Sequence, residues 1–592
     1  MPADRLLQAS TCLGCGCACD DITVVVRGNR IVEARHTCDL GAAWFGDGSA
    51  PARARVQGRD VPVDDALEAA ARLAARAARL LVYLAPDISC ETQREGIALA
   101  DALRATLDSV TSATAMSSIV AAQERGRAGA TLGEVRNRAD LLVFWGVDPM
   151  LRYPRYWTRY APEPVGIHVP GGRRGRTVVA VDVGDSRGPA DADIRIALAE
   201  QDEVAMLAEL SAIVATSGAG ATLRAVGVKD AGAADAVWQP EGEHDTIRLQ
   251  ADAADDTIRH ARELAPTLLA ARYAVFVADA EARPEERARQ FDRSAAAEPD
   301  HGRADALAAL TLALNGPTRC ALSLLRAGGN RSGADAVATW QTGFPAAVDF
   351  ARGYPRYRPL DGNAGSRLAR GEIDTVLVIG SVGCIPAPLL ERIALLPCAV
   401  LGPRASESAL RQAEVVIDSG MAGIHEAGLA LRMDDLPLPL RPSISGPPAA
   451  AALATSLRER AVRYRDTLRF KYPRRPSRIK ATAQATTSQG TRTRDDDPGT
   501  EEPRTEDPRT EDPRTEEPGT EEPGTEEPRT EEPRTEDPGT EEPGTEDQGR
   551  TRNQGRTRNQ GRTKDQGRTK DQGRTKDQGR TKDQGPGTKD QK

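Results

Sequence analysis

Between residues 55 and 445, Ala/Leu-rich stretches of helical length alternate with short apolar runs, and this rhythm limits the folds open to the chain. "VDDALEAAARLAARAARL" is followed by "LLVYLAP", then by "ETQREGIALADALRATL". The same short runs return at "ADLLVFWG", "RTVVAVDVG", "RYAVFVADA", "DTVLVIGS" and "CAVLG". Runs without polar alternation are buried on both faces, as strands of a parallel sheet are when helices cover them. The expected fold is α/β: two doubly wound lobes, over residues 55–270 and 271–445. Each run ends in small or turn-forming residues, where open α/β sheets place their ligands.

The flanks read differently. At the N-terminus "DITVVVRGNRIVEA" has a hairpin signal at Gly28-Asn29, so residues 1–54 are expected to form a small cysteine-rich β module. Residues 446–475 read as a terminal helix and linker. From about Thr500 the chain repeats "TEEPR"-like units, and after Gln548 "QGRTKD"-like units. A mean hydropathy of -0.48 therefore averages an apolar body with a polar tail. Such repeats cannot bury enough surface to offset chain entropy, so residues 476–592 are expected to be disordered, acidic and then basic. "SGAGATLRAVGVKDAGAADAV", between Ile213 and Trp238, reads as an insertion.

A net charge of -8 on 592 residues argues against a nucleic-acid partner. With no long apolar segment and no leader-like start, no membrane partner is expected either, and the expected location is cytoplasmic.

Five of the nine cysteines precede residue 40, a clustering that suits metal rather than disulfides. Cys12, Cys15 and Cys19 share one loop and Cys38 follows 19 residues later. Three neighbouring thiolates and a distant fourth match how a [4Fe–4S] cluster is held. Gly14 and Gly16 let the loop curl. Zinc through Cys12, Cys15, Cys38 and either Cys19 or His36 is the competing site, and free structural cysteines a third reading. Cys17 is an extra thiol without an assigned role.

"CLGCGCACDD", "TLGEVRNRADLLVFWGVDPMLRYPRYWTRY", "WQTGFPAAVDFARGYPRY" and "GIHEAGLALRMDDLPLPLRP" together resemble the B-type subunit of formylmethanofuran dehydrogenase, a relative of the molybdopterin oxidoreductases. The resemblance covers most of residues 10–445 and leaves out the tail. It implies a [4Fe–4S] cluster on Cys12, Cys15, Cys19 and Cys38. In the redox members it also implies tungsten or molybdenum on a bis-pterin guanine dinucleotide, interconverting carbon dioxide and formate. In methylotrophic bacteria the homologous polypeptide is part of a formyltransferase/hydrolase complex with amidohydrolase-like A, C and formyltransferase D subunits.

The chain departs from the redox pattern where the metal ligand should stand. In "TSATAMSSIVAAQE" the register puts Thr114 at the ligand Cys and Ala115 at the following His. A threonine hydroxyl is a poor substitute for a soft thiolate. The family's "HPRH" reads "YPRY" from Tyr153 to Tyr156, an Asn position holds Asp148, and "IGSVGCIP" lacks an Asp-Pro. These losses together imply that the pterin is gone and that no catalytic or cofactor-binding residue remains beyond the cysteines.

The expected role is thus a non-redox scaffold subunit in tetrahydromethanopterin-linked oxidation of formaldehyde to formate. One alternative is an active tungsten or molybdenum enzyme using Ser117, Ser118 or Thr114 as an oxygen ligand; another is an electron-transfer subunit relying on its cluster. Trp145, Trp157 and Trp340 read as core or interface aromatics. Arg155, Arg159, Arg352 and Arg356 are as consistent with ordinary packing as with phosphate contacts. "LRAGGNRSG" is by itself a weak phosphate signal.

Overall fold

The computed structural model describes residues 4–225, 246–281 and 301–471, all within one compact unit, Met1–Thr482. The repeat tail and the latter part of the Ala/Gly-rich stretch lie outside the described residues.

The chain is α/β, as the rhythm predicts, and the apolar runs pair into two mainly parallel sheets. The smaller has five parallel strands in the order Ile194–Leu198, Thr177–Val183, Leu141–Trp145, Ala274–Asp279, Cys320–Leu325. Its chain starts in the middle, winds outward to one side and returns to the other, so the direction reverses between Leu141–Trp145 and Ala274–Asp279. The larger sheet has nine strands; Thr106–Ser109, Leu80–Leu84, Thr375–Ile379, Cys398–Pro403 and Val415–Ser419 are its parallel centre. Its reversal lies between Leu80–Leu84 and Thr375–Ile379. Crevices at such reversals, beyond the carboxyl ends of the strands, are where this class of sheet places its ligands.

A division near residue 270 does not separate the two sheets. The smaller takes strands from residues 141–325 and the larger from 54–109 and 348–419, so one is inserted into the other. Helix–strand rhythm reports that a strand is buried but not which sheet it joins. Both faces of the smaller sheet are covered, with Leu141, Val143 and Trp145 packed on one side and Leu142 and Phe144 on the other. Helix Val63–Arg76 buries Ala66, Leu67, Ala70, Ala71 and Ala74, the helical spacing of its sequence. Helix Ala450–Lys471 lies against it and against Cys90–Ala102.

Near the N-terminus, Ile22–Arg27 and Arg30–Arg35 pair antiparallel across Gly28 and Asn29, whose φ angles are 56° and 60°. Two left-handed residues are what a tight hairpin of this twist requires. Arg5–Ser10 adds a third strand. The buried cysteines of the next loop pack on the Leu142/Phe144 face of the smaller sheet. Among the described residues no helix is long and apolar enough to cross a membrane.

Candidate functional site

The cysteine loop closes on itself through Cys12 N–H donating to Cys19 O at 2.9 Å and Ala18 N–H donating to Cys15 O at 3.1 Å. Cys12, Cys15, Cys17 and Cys19 are buried and Cys38 is half-buried. Cys38 sits at the N-terminus of helix Asp39–Phe45, and that helix lies against the loop because Gly41 has no side chain. A Cβ at Gly41 would stand 3.2 Å from Cys12 Sγ, and one at Gly14 would stand 2.7 Å from Leu40 O.

Cys12 is thereby within electrostatic reach of Cys15, Cys19 and Cys38. Burial pushes the Cys12 thiol up to about 12, and Cys15, Cys19 and Cys38 add to that rise. Burial raises Cys19 as well, against the pull of Arg155 and Arg159. Cys15 goes the other way: the Cys17 thiol hydrogen-bonds it, and Arg155 adds a favourable charge. Cys17, fully buried and raised, thus supports the Cys15 thiolate.

Among the described residues no three His, Cys, Asp or Glu side chains form a group able to hold a single metal ion. A structural zinc draws its four ligands onto one ion. A cubane takes four thiolates on separate irons, and Cys12, Cys15, Cys19 and Cys38 are donors of that chemical kind.

A second segment is seated on this loop. "LRAGGNRSG" leaves the end of strand Cys320–Leu325 and runs between the cysteine loop and Pro86. Gly329 N–H donates to Leu13 O at 2.9 Å. A Cβ at Gly16 would lie 2.0 Å from Arg326 O, and one at Gly328 would lie 2.7 Å from Gly14 O. These glycines serve the close approach of two backbones, not a phosphate. Asn330, fully buried, then fixes the segment to the larger sheet's lobe: its Nδ2 donates to Ile88 O at 3.0 Å and its Oδ1 accepts from Leu431 N–H at 2.8 Å. Its sequence neighbourhood gave no sign of this role.

Arg326 and Arg331, carried by that segment, enter the space between the two carboxyl edges. Arg326 pairs with Asp335 and donates to Thr111 Oγ1 at 2.9 Å. Arg331 Nη1 lies 2.9 Å from Glu281 Oε1 and 3.3 Å from Thr114 Oγ1. Arg152, from the turn after Leu141–Trp145, pairs with Asp279 and reaches Glu281 Oε2 at 3.5 Å. Ala327 N–H also donates to Glu281 Oε1, at 3.0 Å.

Among the described residues three arginines thus meet three carboxylates, with Arg303 close to Asp279 as well. Burial works against the Glu281 charge, but Arg331, the Ala327 amide, Arg326 and Arg152 hold its carboxyl below the usual range. Burial raises Asp279 and Asp335 despite their arginines.

Thr114, at the metal-ligand register, is buried, and its hydroxyl donates to Val110 O at 3.0 Å while accepting from Arg331. Ser118 Oγ donates to Ala280 O at 3.2 Å beside a cavity of about 10 Å³ lined by Ala122, Asp279 and Arg303. That is room for about one water. For a metal carried on a bis-pterin, the Thr114 hydroxyl is a poor substitute for a soft thiolate, and among the described residues Arg152, Arg326 and Arg331 each face a carboxylate.

Other flagged residues have structural work. Arg155 binds Asp21 with both Nη atoms at 2.6 Å, and Arg159 pairs with Asp20 and Asp21. Asp148 caps the short helix Pro149–Arg152 by accepting from Met150 N–H at 2.9 Å. Trp145 is buried with its Nε1 donating to Glu203 at 2.8 Å, and Trp157 is buried beside Phe144. Trp340 is 67% exposed, and Arg352 is exposed too, while Arg356 is half-buried.

No family model matches the chain. It is 29% identical over 454 residues to the B-type subunit of tungsten-containing formylmethanofuran dehydrogenase 2 from Methanocaldococcus jannaschii, covering 75% of this chain and 95% of that protein. To the protein of the same name from Methanococcus maripaludis it is 28% identical over 447 residues, 74% of this chain and 93% of the relative. Among solved structures it matches a chain of the formyltransferase/hydrolase complex from Methylorubrum extorquens, crystallised with methylofuran. That match has a TM-score of 0.52 and 23% identity, covers 69% of this chain and 99% of the other, and speaks to the fold.

Proposed function

From the premise that this chain is a homologue of the B-type subunit of formylmethanofuran dehydrogenase, we propose that it is a non-redox scaffold subunit of a formyltransferase/hydrolase complex. Its place would be the cytoplasmic oxidation of formaldehyde to formate on a tetrahydromethanopterin-linked route. Its partners would be the amidohydrolase-like A, C and formyltransferase D subunits, which do the transfer and hydrolysis. One observation carries the reading: Thr114 stands at the metal-ligand register with its hydroxyl engaged by Val110 and Arg331, beside an ion network. Among the described residues a soft metal finds no thiolate at that register.

Cys12, Cys15, Cys19 and Cys38 would hold the [4Fe–4S] cluster, which when bound supplies one-electron transfer in redox relatives. In this chain the same residues join the N-terminal loop to helix Asp39–Phe45, so the cluster's work is to fold the module. The fold shared with a chain of the Methylorubrum complex supports the assignment to that assembly over a free-standing enzyme.

Affinity purification of the tagged chain from its own cells tests the proposal. The expected result is recovery of the three other subunits in a complex that hydrolyses the formyl carrier without a low-potential electron donor. Recovery of the chain alone, or hydrolysis that requires such a donor, contradicts it.

A further inference from the structure

We infer that the Arg152–Asp279–Glu281–Arg331 and Arg326–Asp335 network is a built-in replacement for the lost cofactor, a buried clamp that holds the two sheets' carboxyl edges and the cysteine loop together. The inference rests on the reading that the pterin is absent and adds what took over its structural place.

The six charged members come from three parts of the chain: Arg152, the Asp279/Glu281 pair, and Arg326, Arg331 and Asp335. Arg152 and the Asp279/Glu281 pair follow the two strands that flank the reversal of the smaller sheet. Thr111 and Thr114 follow strand Thr106–Ser109 of the larger one. Arg326 and Arg331 bracket the glycine segment, whose Gly328 and Gly329 touch the cysteine loop and Pro86. Glu281 is the hub: one oxygen takes Arg331 and the Ala327 amide, and the other faces Arg152. The Arg152–Asp279 and Arg331–Glu281 pairs tie the strand ends to the glycine segment, and the Arg326 and Arg331 hydrogen bonds to Thr111 and Thr114 carry the link to the larger sheet.

Such a clamp has a signature that a chance group of surface pairs lacks. Breaking one side of a buried pair leaves an uncompensated charge, whereas removing both partners is far milder. Glu281→Gln should therefore loosen residues 12–19, 108–114 and 326–331 together, although they come from three parts of the sequence.

Hydrogen exchange on the full chain in its complex reads this directly. For Glu281→Gln, amide exchange in all three segments should rise by tenfold or more, with strands Cys398–Pro403 and Val415–Ser419 unchanged. The double variant Glu281→Gln/Arg331→Met should restore at least half of that protection. If Glu281→Gln does not accumulate, recovery of folded protein by the double variant is the supporting result. Exchange that rises in only one segment or in none, or a double variant no better than the single, overturns the inference. Tungsten in the wild-type complex would overturn the functional reading instead, so the two failures are distinguishable.

Discussion

Arg331 holds Thr114 from one side and Glu281 from the other, with its Nη1 3.3 Å from Thr114 Oγ1 and 2.9 Å from Glu281 Oε1. The hydroxyl that stands where a metal-binding thiolate is expected is thereby tied to an arginine that also pairs with Glu281.

Restoring the thiol should not restore the metal. Thr114→Cys puts back the soft ligand but leaves Arg152, Arg326 and Arg331 each paired with a carboxylate. The purified variant is expected to contain no tungsten or molybdenum by inductively coupled plasma mass spectrometry. Thr114→Val, close in shape, should lose about 1–3 kcal/mol of stability through the two hydrogen bonds it removes, measurable by denaturant unfolding.

Cys15→Ser should act on folding and not on chemistry. Cys15 is the cysteine whose thiolate is favoured, by Cys17 and Arg155, and in the proposed cluster a serine hydroxyl, with its far higher pKa, would be a poorer donor to iron. Lower yield or weaker assembly is expected, while correctly assembled complex hydrolyses formyl carrier at close to the wild-type rate.

The alternating pattern made the sheets legible, and Gly28-Asn29 made the hairpin legible, because both signals are local. The cysteine spacing likewise foretold a shared loop. The Arg331 contacts were not legible: Arg331 meets Thr114 across 217 positions and Glu281 across 50, and nothing at any one of them marks the others. The segment at residues 325–333 shows the same limit, since glycines used for backbone contact look like glycines used for phosphate.

Arg176 should be among the residues least tolerant of change. Its guanidinium donates to Ala139 O, Pro162 O, Pro164 O and Arg136 O at 3.1, 2.7, 2.7 and 2.6 Å, gathering a whole loop onto the smaller sheet. Arg176→Met leaves four carbonyls without that donor and should cost about 3 kcal/mol or more. Arg176→Lys should recover only part of it, because an ammonium lacks the planar fork. Thermal unfolding of the two variants beside wild type checks both.

His425 sets an acid limb. Its Nδ1 accepts from Met421 N–H at 3.1 Å and its Nε2 faces Gly48 O at 2.8 Å, a pattern that requires the neutral ring with the proton on Nε2. Burial lowers its pKa below the ordinary value, outweighing the Gly48 contact. The unfolded chain therefore binds the proton first, so this contribution is full above about pH 6.5 and falls as pH drops toward the folded value. His425→Gln should flatten that part of the stability profile, measured by unfolding at a series of pH values.

The proposed function, a cluster on the cysteine loop with no tungsten or molybdenum centre, predicts a distinct elemental composition. Metal and sulfide analysis of the complex purified without oxygen reads it directly. The expected content is about four irons and four sulfides per chain, that of one cubane, with neither tungsten nor molybdenum. Stoichiometric tungsten or molybdenum would contradict the loss of the centre, and zinc in place of iron would contradict the cluster.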